Sequence, residues 1–351
     1  MTPDTTLESS AEFQFVCPAC RGSLKTHDES YECASCNRHF PVLFGIPDFR
    51  LRSDRYLSLE QERLKATRLA QSGLDFAAML DLYYDITDDV PPELAQVYKS
   101  YHQNGPMQAS HSIHQLALST QDYYLDAGCG TGGSLLAAAD SGARLVGVDI
   151  ALRWLVIAKQ RLQEQGIDAT LVCADIESPP FKNGQFSKIA ATDLLENVYD
   201  VNRSLQVLSA LLDTKGRLWL AGCNQYCIGP HPSTRLWAIG YLPGPLRKRV
   251  TTFFRGVDSL RYINLIDPCS LIKAGRKLRL DLAFVAPKKV ATHQLDSYPK
   301  LDQILIRLYA WLAIKPLVKQ LLILIGPAFE MILFKTEGEP NRNPLFHKDT
   351  Q

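Results

Sequence analysis

Two sets of residues in this 351-residue chain have the types and spacing for chemistry. The first is Cys17-Pro18-Ala19-Cys20, followed after twelve residues by Cys33-Ala34-Ser35-Cys36. Two thiolates separated by two residues can grip one side of a tetrahedral ion from a tight turn. A second such turn, brought back by a short hairpin, closes a four-sulfur site. Nine cysteines are an odd number for an all-disulfide framework, and the paired spacing predicts structural zinc at Cys17, Cys20, Cys33 and Cys36, with a redox dithiol as the alternative. Gly22 and Asn37, just after the two pairs, suit the left-handed backbone of such knuckles. The second set is Tyr123-Tyr-Leu-Asp-Ala-Gly-Cys-Gly-Thr-Gly-Gly133, an apolar strand running into Asp126, then Gly128, Gly130 and Gly132 at alternate positions, then a helix over about 134–140. Glycines let the backbone turn sharply and approach a ligand that a Cβ would hold off. The helix N-terminus beyond offers free N–H groups to a carboxylate or phosphate.

Alone, this loop is ambiguous. Gly128-x-Gly130-x-x-Gly133 also satisfies the dinucleotide fingerprint, with Asp149 as its downstream acid. Asp126, however, would sit where a dinucleotide brings the negative charge of its pyrophosphate, whereas a methylsulfonium donor brings an ammonium group. A second strand over 144–148 ends in Asp149 and a third over 170–174 ends in Asp175. Carboxylates at the ends of consecutive strands line the ligand crevice of an open α/β sheet.

Together these residues resemble the class I S-adenosylmethionine-dependent methyltransferases, close to the type 11 branch, over about 123–222 and onward to 335. The resemblance implies an α/β fold with a doubly wound, mostly parallel seven-stranded sheet, and S-adenosyl-L-methionine as donor. It implies that the loop of Asp126, Gly128, Gly130 and Gly132 holds the methionine end and that Asp149 bonds the ribose hydroxyls, with Ile150 against the adenine. Asp175 would take the adenine amino group, with Ile176 beside it. The fourth strand, 186–192, runs into Asp193-Leu-Leu-Glu-Asn-Val-Tyr-Asp200, and Asp193 joins the cofactor set. This run resembles the segment after that strand in small-molecule methyltransferases, but Asn197 stands where a His often follows the Glu. Strands over 217–221 and 329–335 match the fifth and closing strands. Separately, Cys17-Pro-Ala-Cys-Arg-Gly22 through Phe40-Pro-Val-Leu-Phe-Gly-Ile-Pro-Asp-Phe49 resembles the small zinc-ribbon proteins that act as methyltransferase activators, with short strands expected over 13–16 and 39–44.

The acceptor is less constrained. Pro179-Pro180-Phe181 follows the third strand rather than the fourth, away from the place of an exocyclic-amine motif, and Cys223 lacks the partner residues of cytosine-ring chemistry, so it reads as a structural thiol. The expectation is methyl transfer to a small-molecule or lipid-like acceptor at oxygen, with RNA methylation or a non-catalytic scaffold as rivals. An insertion over 224–289 forms the acceptor side. Its part 241–289 holds eleven Lys/Arg against three Asp, a local +8 within a chain of net +1. Such a patch suits a phosphate-bearing molecule, an anionic membrane surface or RNA. His231, in Gly229-Pro-His-Pro232, is the candidate general base, its neutral imidazole being able to take a hydroxyl proton.

The elements that must position these residues divide the chain into a zinc ribbon (1–50), a helical linker or lid (51–118), the methyltransferase domain (119–337) and a tail (338–351). Apolar residues recur at helical intervals over 51–118, and covering the core is their expected task. Residues 301–325 are apolar in helical rhythm but interrupted by Arg307, Lys315 and Pro316, which predicts two short helices on the sheet, with peripheral membrane contact as a second possibility. The polar, acidic 1–12 carries no signal-peptide pattern, so a cytoplasmic or membrane-peripheral location is expected.

Overall fold

A computed structural model describes residues 14–87, 90, 92–256, 258, 260–288 and 300–336; the tail 338–351 lies outside them. Near the N-terminus, β1 (Leu24–His27), β2 (Ser30–Cys33), β3 (His39–Leu43) and β4 (Ile46–Pro47) form one antiparallel sheet in sequence order. The strand expected over 13–16 does not form among its described residues. Val16 makes a single bridge to Ser23 and donates its N–H to Pro180 O at 2.8 Å, so the chain entering the first knuckle is tied to the main domain instead. The ribbon has no separate core. Phe15, Tyr31, Phe40 and Phe49 cluster edge-on and tilted, and Phe15 reaches Phe181 of the main domain. Beyond β4, Asp48 bridges Cys173 in parallel and Phe49 N donates to Cys173 O at 2.8 Å, which covers an exposed sheet edge.

Four helices follow: α1 (Leu59–Ala70), α2 (Phe76–Asp85), α3 (Pro92–Gln103) and α4 (Gly105–Leu116). Ser58 and Gln61 close a reciprocal capping box on α1, and Asp75 caps α2. The main sheet contains β5 (Tyr123–Ala127), β6 (Arg144–Asp149), β7 (Thr170–Cys173), β8 (Phe186–Thr192), β9 (Leu212–Cys223), β10 (Leu280–Pro287) and β11 (Ala328–Lys335). Their order is β10-β11-β9-β8-β5-β6-β7, with β11 antiparallel to both neighbours and the other contiguous pairs parallel. Alternating side chains build two apolar layers. Tyr124, Leu145, Ala190 and Trp219 pack with α5 (Gly133–Ala138), α6 (Leu152–Glu164) and the first helices, while Leu125, Val148, Ile189 and Leu220 pack with α7 (Val201–Leu211) and the ribbon aromatics.

Two boundaries differ from expectation. β9 starts at Leu212, directly from α7, rather than at 217. The segment 224–289 is only partly an insertion: α8 (Gly244–Arg255) belongs to it, whereas α9 (Pro268–Lys277) packs on α7 and feeds β10, which lies inside the sheet domain. The Lys and Arg count hid this, because Lys273 and Lys277 of α9 are exposed while Leu271 and Gly275 are buried. Among the described residues between β10 and β11 lie two helices, α10 (Lys300–Ala313) and α11 (Pro316–Ile325), as the interrupted rhythm predicted.

Candidate functional site

Strand order reverses at β5, which has β8 on one side and β6 on the other, so a crevice opens beyond the carboxyl ends of β5 and β8. Gly128, Gly130 and Gly132 line it with φ of 77°, 49° and 73°, the left-handed region that disfavours a side chain. Their reasons differ. A Cβ at Gly128 would stand 3.0 Å from Leu194 Cδ1, and one at Gly132 3.3 Å from Ala158 Cβ, but one at Gly130 would meet nothing within 4 Å. Open space therefore faces the middle glycine. Gly133 serves packing instead, since a Cβ there would stand 2.9 Å from the backbone of Gly105 where α4 begins.

The carboxylates converge on this loop. Asp149 accepts Gly130 N and Ala151 N, each at 2.9 Å, and so fixes the loop's shape. Asp126 is buried next to it, and burial with the Asp149 charge pushes its carboxyl up to about 7. Asp175 is buried at the end of β7 and is engaged by Arg52 at 2.5 Å, which also reaches Glu177 at 2.9 Å and lies 3.9 Å over the Tyr199 ring. A cavity of ≈ 280 Å³ opens there, lined by Leu51, Arg52, Asp175, Glu177, Ser178 and Arg203. Ile176 is buried; Ile150 O accepts Arg50 Nη1 at 3.3 Å. The stretch 50–57 is thus a strap across the crevice. Its far end is held by Arg153, which pairs with Asp54 at 2.9 Å and with the buried Glu62 of α1. Neither Arg50 nor Arg52 has a sequence signal beyond being a cation near the ribbon.

On the other side, beyond β8 and β9, lies a second polar group. Asp193, at φ 53°, accepts the Tyr101 hydroxyl at 2.8 Å and Lys288 Nζ at 3.2 Å, and its charge holds both of their pKa values up. Glu196 is buried; its Oε1 accepts Cys223 N at 2.6 Å, while Oε2 has no partner among the described residues. Burial and Asp193 push the Glu196 carboxyl up to about 7. Gly222 accommodates it, because a Cβ would stand 2.3 Å from Glu196 Oε1. Burial and Glu196 raise the Cys223 thiol, in keeping with a structural role.

His231 lies in the loop that reaches this group through Ser233, whose Oγ is 4.0 Å from Cys223 Sγ. The residue is only 1% exposed, Nε2 has no partner among the described residues, and burial beside Arg247 lowers the ring to about 4. Its Nδ1 accepts Ser233 N at 3.3 Å, and among the described residues the ring has no hydrogen bond to Asp126, Asp149 or Asp175. Sequence reasoning missed Tyr101, Glu196 and Lys288. The Glu was visible in the run after β8, but Tyr101 and Lys288 stand 92 and 95 residues from Asp193, and only the fold brings them together. From the same helix as Tyr101, His102 Nδ1 lies 3.4 Å from Thr131 Oγ1, so the end of α3 roofs the glycine loop as well as covering the core.

The four cysteine sulfurs lie within 4.8 Å of one another, with Cys17–Cys36 at 3.7 Å and Cys20–Cys33 at 3.4 Å. A tetrahedral zinc with Zn–S near ~2.3 Å sets S···S edges of ~3.8 Å, whereas a disulfide needs ~2.05 Å, so the donor set fits the ion. The left-handed residues of the knuckles are Arg21 and Asn37. Gly22 instead permits close approach, as a Cβ there would meet Ser35 Oγ at 2.5 Å.

Residues 125–220 match the family described as "Methyltransferase domain". The chain is 30% identical over 127 residues to the ubiquinone biosynthesis O-methyltransferase of Coxiella burnetii (strain RSA 493 / Nine Mile phase I), covering 36% of this chain and 54% of that protein. It thus spans about half the length of that relative. To the protein of the same name from Bordetella avium it is 28% identical over 214 residues, covering 60% of this chain and 80% of that one. Among solved structures, geranyl diphosphate C-methyltransferase from Streptomyces coelicolor aligns with a TM-score of 0.46 at 19% identity, covering 68% of this chain and 82% of that one.

Proposed function

We propose that this protein is an S-adenosylmethionine-dependent methyltransferase that acts on an oxygen of a small or lipid-like acceptor and carries a structural zinc in a fused ribbon similar to the activator proteins. The observation that carries the reading is the placement of Asp126, Asp149 and Asp175 at the ends of three neighbouring parallel strands around a glycine loop that opens at Gly130. A carboxyl at Asp126 suits an ammonium and repels a pyrophosphate, so the donor rather than a dinucleotide fits this crevice. Relatives named as O-methyltransferases support the choice of oxygen.

When bound, the donor supplies an electrophilic methyl group on a sulfonium; the residues of the chain do the rest. Asp126 would hold the ammonium, Asp149 the ribose hydroxyls, and Asp175, paired with Arg52, the adenine amino group. Ile150 and Ile176 would flank the base. Tyr101, Asp193 and Lys288 would orient the acceptor at the facing end, and Glu196, whose pKa lies near neutrality, would receive the hydroxyl proton. His231 is the weaker candidate base, since at about 4 its ring has little driving force to hold a proton. Rate would come mainly from holding acceptor and methyl in line, as proximity and orientation can supply ~7–11 kcal/mol.

Calorimetric titration with S-adenosylmethionine should give binding that Asp149→Ala weakens about a hundredfold, because two charge-assisted hydrogen bonds and the loop's anchor are lost together. Affinity should also fall about tenfold per pH unit below 7, as Asp126 becomes protonated and the ammonium can pair with it only by displacing that proton. A folded protein that binds NAD and not the methyl donor would sink the proposal.

A further inference from the structure

Helices α10 and α11 carry an apolar face that nothing covers among the described residues. Leu301, Ile304, Leu308 and Trp311 follow one another at intervals of three and four along α10, and all are exposed. Leu317 (84% exposed), Leu321 and Leu324 repeat the spacing on α11, and Ile314 (71% exposed) stands in the turn between. Residues three and four apart share one face of a helix, so these are two continuous stripes rather than scattered side chains. Contiguous apolar surface of this kind marks an interaction site.

We propose that this helix pair is a docking surface for an anionic lipid bilayer, lying in the plane of its interface. The inference goes beyond methyl transfer and stands on separate observations. Length excludes spanning: at ~1.5 Å per residue the helices reach only ~21 and ~15 Å against a hydrocarbon core of ~30 Å, and no described helix is long and apolar enough to cross a membrane. Charge selects the occupant. Over 300–325 the chain has Lys300, Arg307, Lys315 and Lys319 against the single acid Asp302, and Lys315 lies 5.3 Å over the Trp311 ring. Cations beside an apolar, Trp-bearing face match an anionic headgroup layer above acyl chains. A second copy of the chain would set these like charges against each other.

Position extends the surface. Ile228 N donates to Ile325 O at 3.1 Å, which ties the end of α11 to a loop where Ile228 and Trp237 are exposed. That loop leads into α8, with Arg247, Lys248, Arg249 and Arg255 beside the exposed Phe253 and Phe254. The pair is also fastened to the polar group beyond β8. Tyr309 donates its hydroxyl to Lys288 O at 3.0 Å, and Asn224, just past β9, donates to Leu324 O at 2.9 Å. Seating α10 and α11 on a bilayer therefore holds Lys288, the partner of Asp193, one helix layer from the membrane.

The test is co-sedimentation of the full chain with vesicles of phosphatidylcholine alone and with about one-third phosphatidylglycerol. Binding should be at least about tenfold tighter with the anionic lipid and should weaken with added salt. The double replacement Leu317→Glu/Leu321→Glu should reduce it about tenfold or more, with circular dichroism and S-adenosylmethionine titration unchanged. Leu317→Ser serves alone if the double variant loses its fold. Equal binding of wild type and variant, binding to neither vesicle, or a dimer in sedimentation velocity that the double variant dissolves would each overturn the proposal. Donor titration on the same samples separates these outcomes from a failure of the methyltransferase reading.

Discussion

Replacing Glu196 with glutamine lowers kcat by about a hundredfold or more while donor affinity stays close to that of the wild type. Glutamine keeps the volume, and its carbonyl can still accept Cys223 N, so the fold around β9 is retained. What disappears is a group whose pKa, pushed up to about 7, makes it a base above neutrality and an acid below. The wild-type kcat should therefore rise with pH and level off above about 7, and the rise should be missing in Glu196→Gln. Stability gives a second, independent reading. The folded pKa is raised above the ordinary carboxyl value, so folding favours the protonated form; stability falls as pH climbs from about 4.5 through 7, where the buried carboxylate must ionise. Thermal unfolding of Glu196→Gln should match the wild type near pH 4 and exceed it at pH 8. An unchanged kcat with an intact pH profile would remove Glu196 from the mechanism, and His231→Ala, measured beside it, would show whether the buried imidazole carries the step.

Stripping the zinc proposed for the four-cysteine cluster should have the second large effect. One ion per chain is expected by elemental analysis, and Cys33→Ser should abolish it. Structural zinc contributes folding free energy directly, and a four-stranded unit this small has too little apolar surface to order itself. Its loss should free Phe15, Tyr31, Phe40 and Phe49 from the shared core and open the pairing of Phe49 N with Cys173 O. The melting temperature should fall by about 10 °C or more. Unfolding should nevertheless stay local, because Arg153 holds Asp54 and Glu62 on the far side of the strap. The strap then loses one of its two anchors. Arg52 no longer fixes Asp175, and water enters the cavity at the end of β7, so donor affinity should drop about tenfold, a loss of one charge-assisted hydrogen bond. Tighter donor binding after stripping would show instead that Arg52 competes with the donor for Asp175.

These two experiments probe features of different legibility. The glycine loop and the placement of Asp126, Asp149 and Asp175 were readable because strand ends are local patterns of apolar runs and turns. The cysteine pairs were readable because tetrahedral ligation imposes short spacings within each knuckle. His231 was chosen on residue type alone, and type does not report burial: the fold encloses the ring next to Arg247 and lowers its basicity. The basic stretch 241–289 concealed β10, because charge counting averages over both faces of a helix and does not see which face is buried.

By itself, the sequence determined the α/β class, the glycine loop, the carboxylates at successive strand ends and the four-sulfur cluster, since all of these are set by interactions among residues close in the chain. The tertiary structure alone decided that Arg52 would sit on Asp175, that Tyr101 and Lys288 would meet at Asp193, and that Glu196 would be buried with one oxygen unpartnered among the described residues. It also decided that the ribbon would share its core with the sheet and that the stripes of α10 and α11 would face outward. The physical reason is common to all of them. Contacts between distant segments depend on which face of each element is left after the core has closed, and a pattern along one segment carries no record of the others.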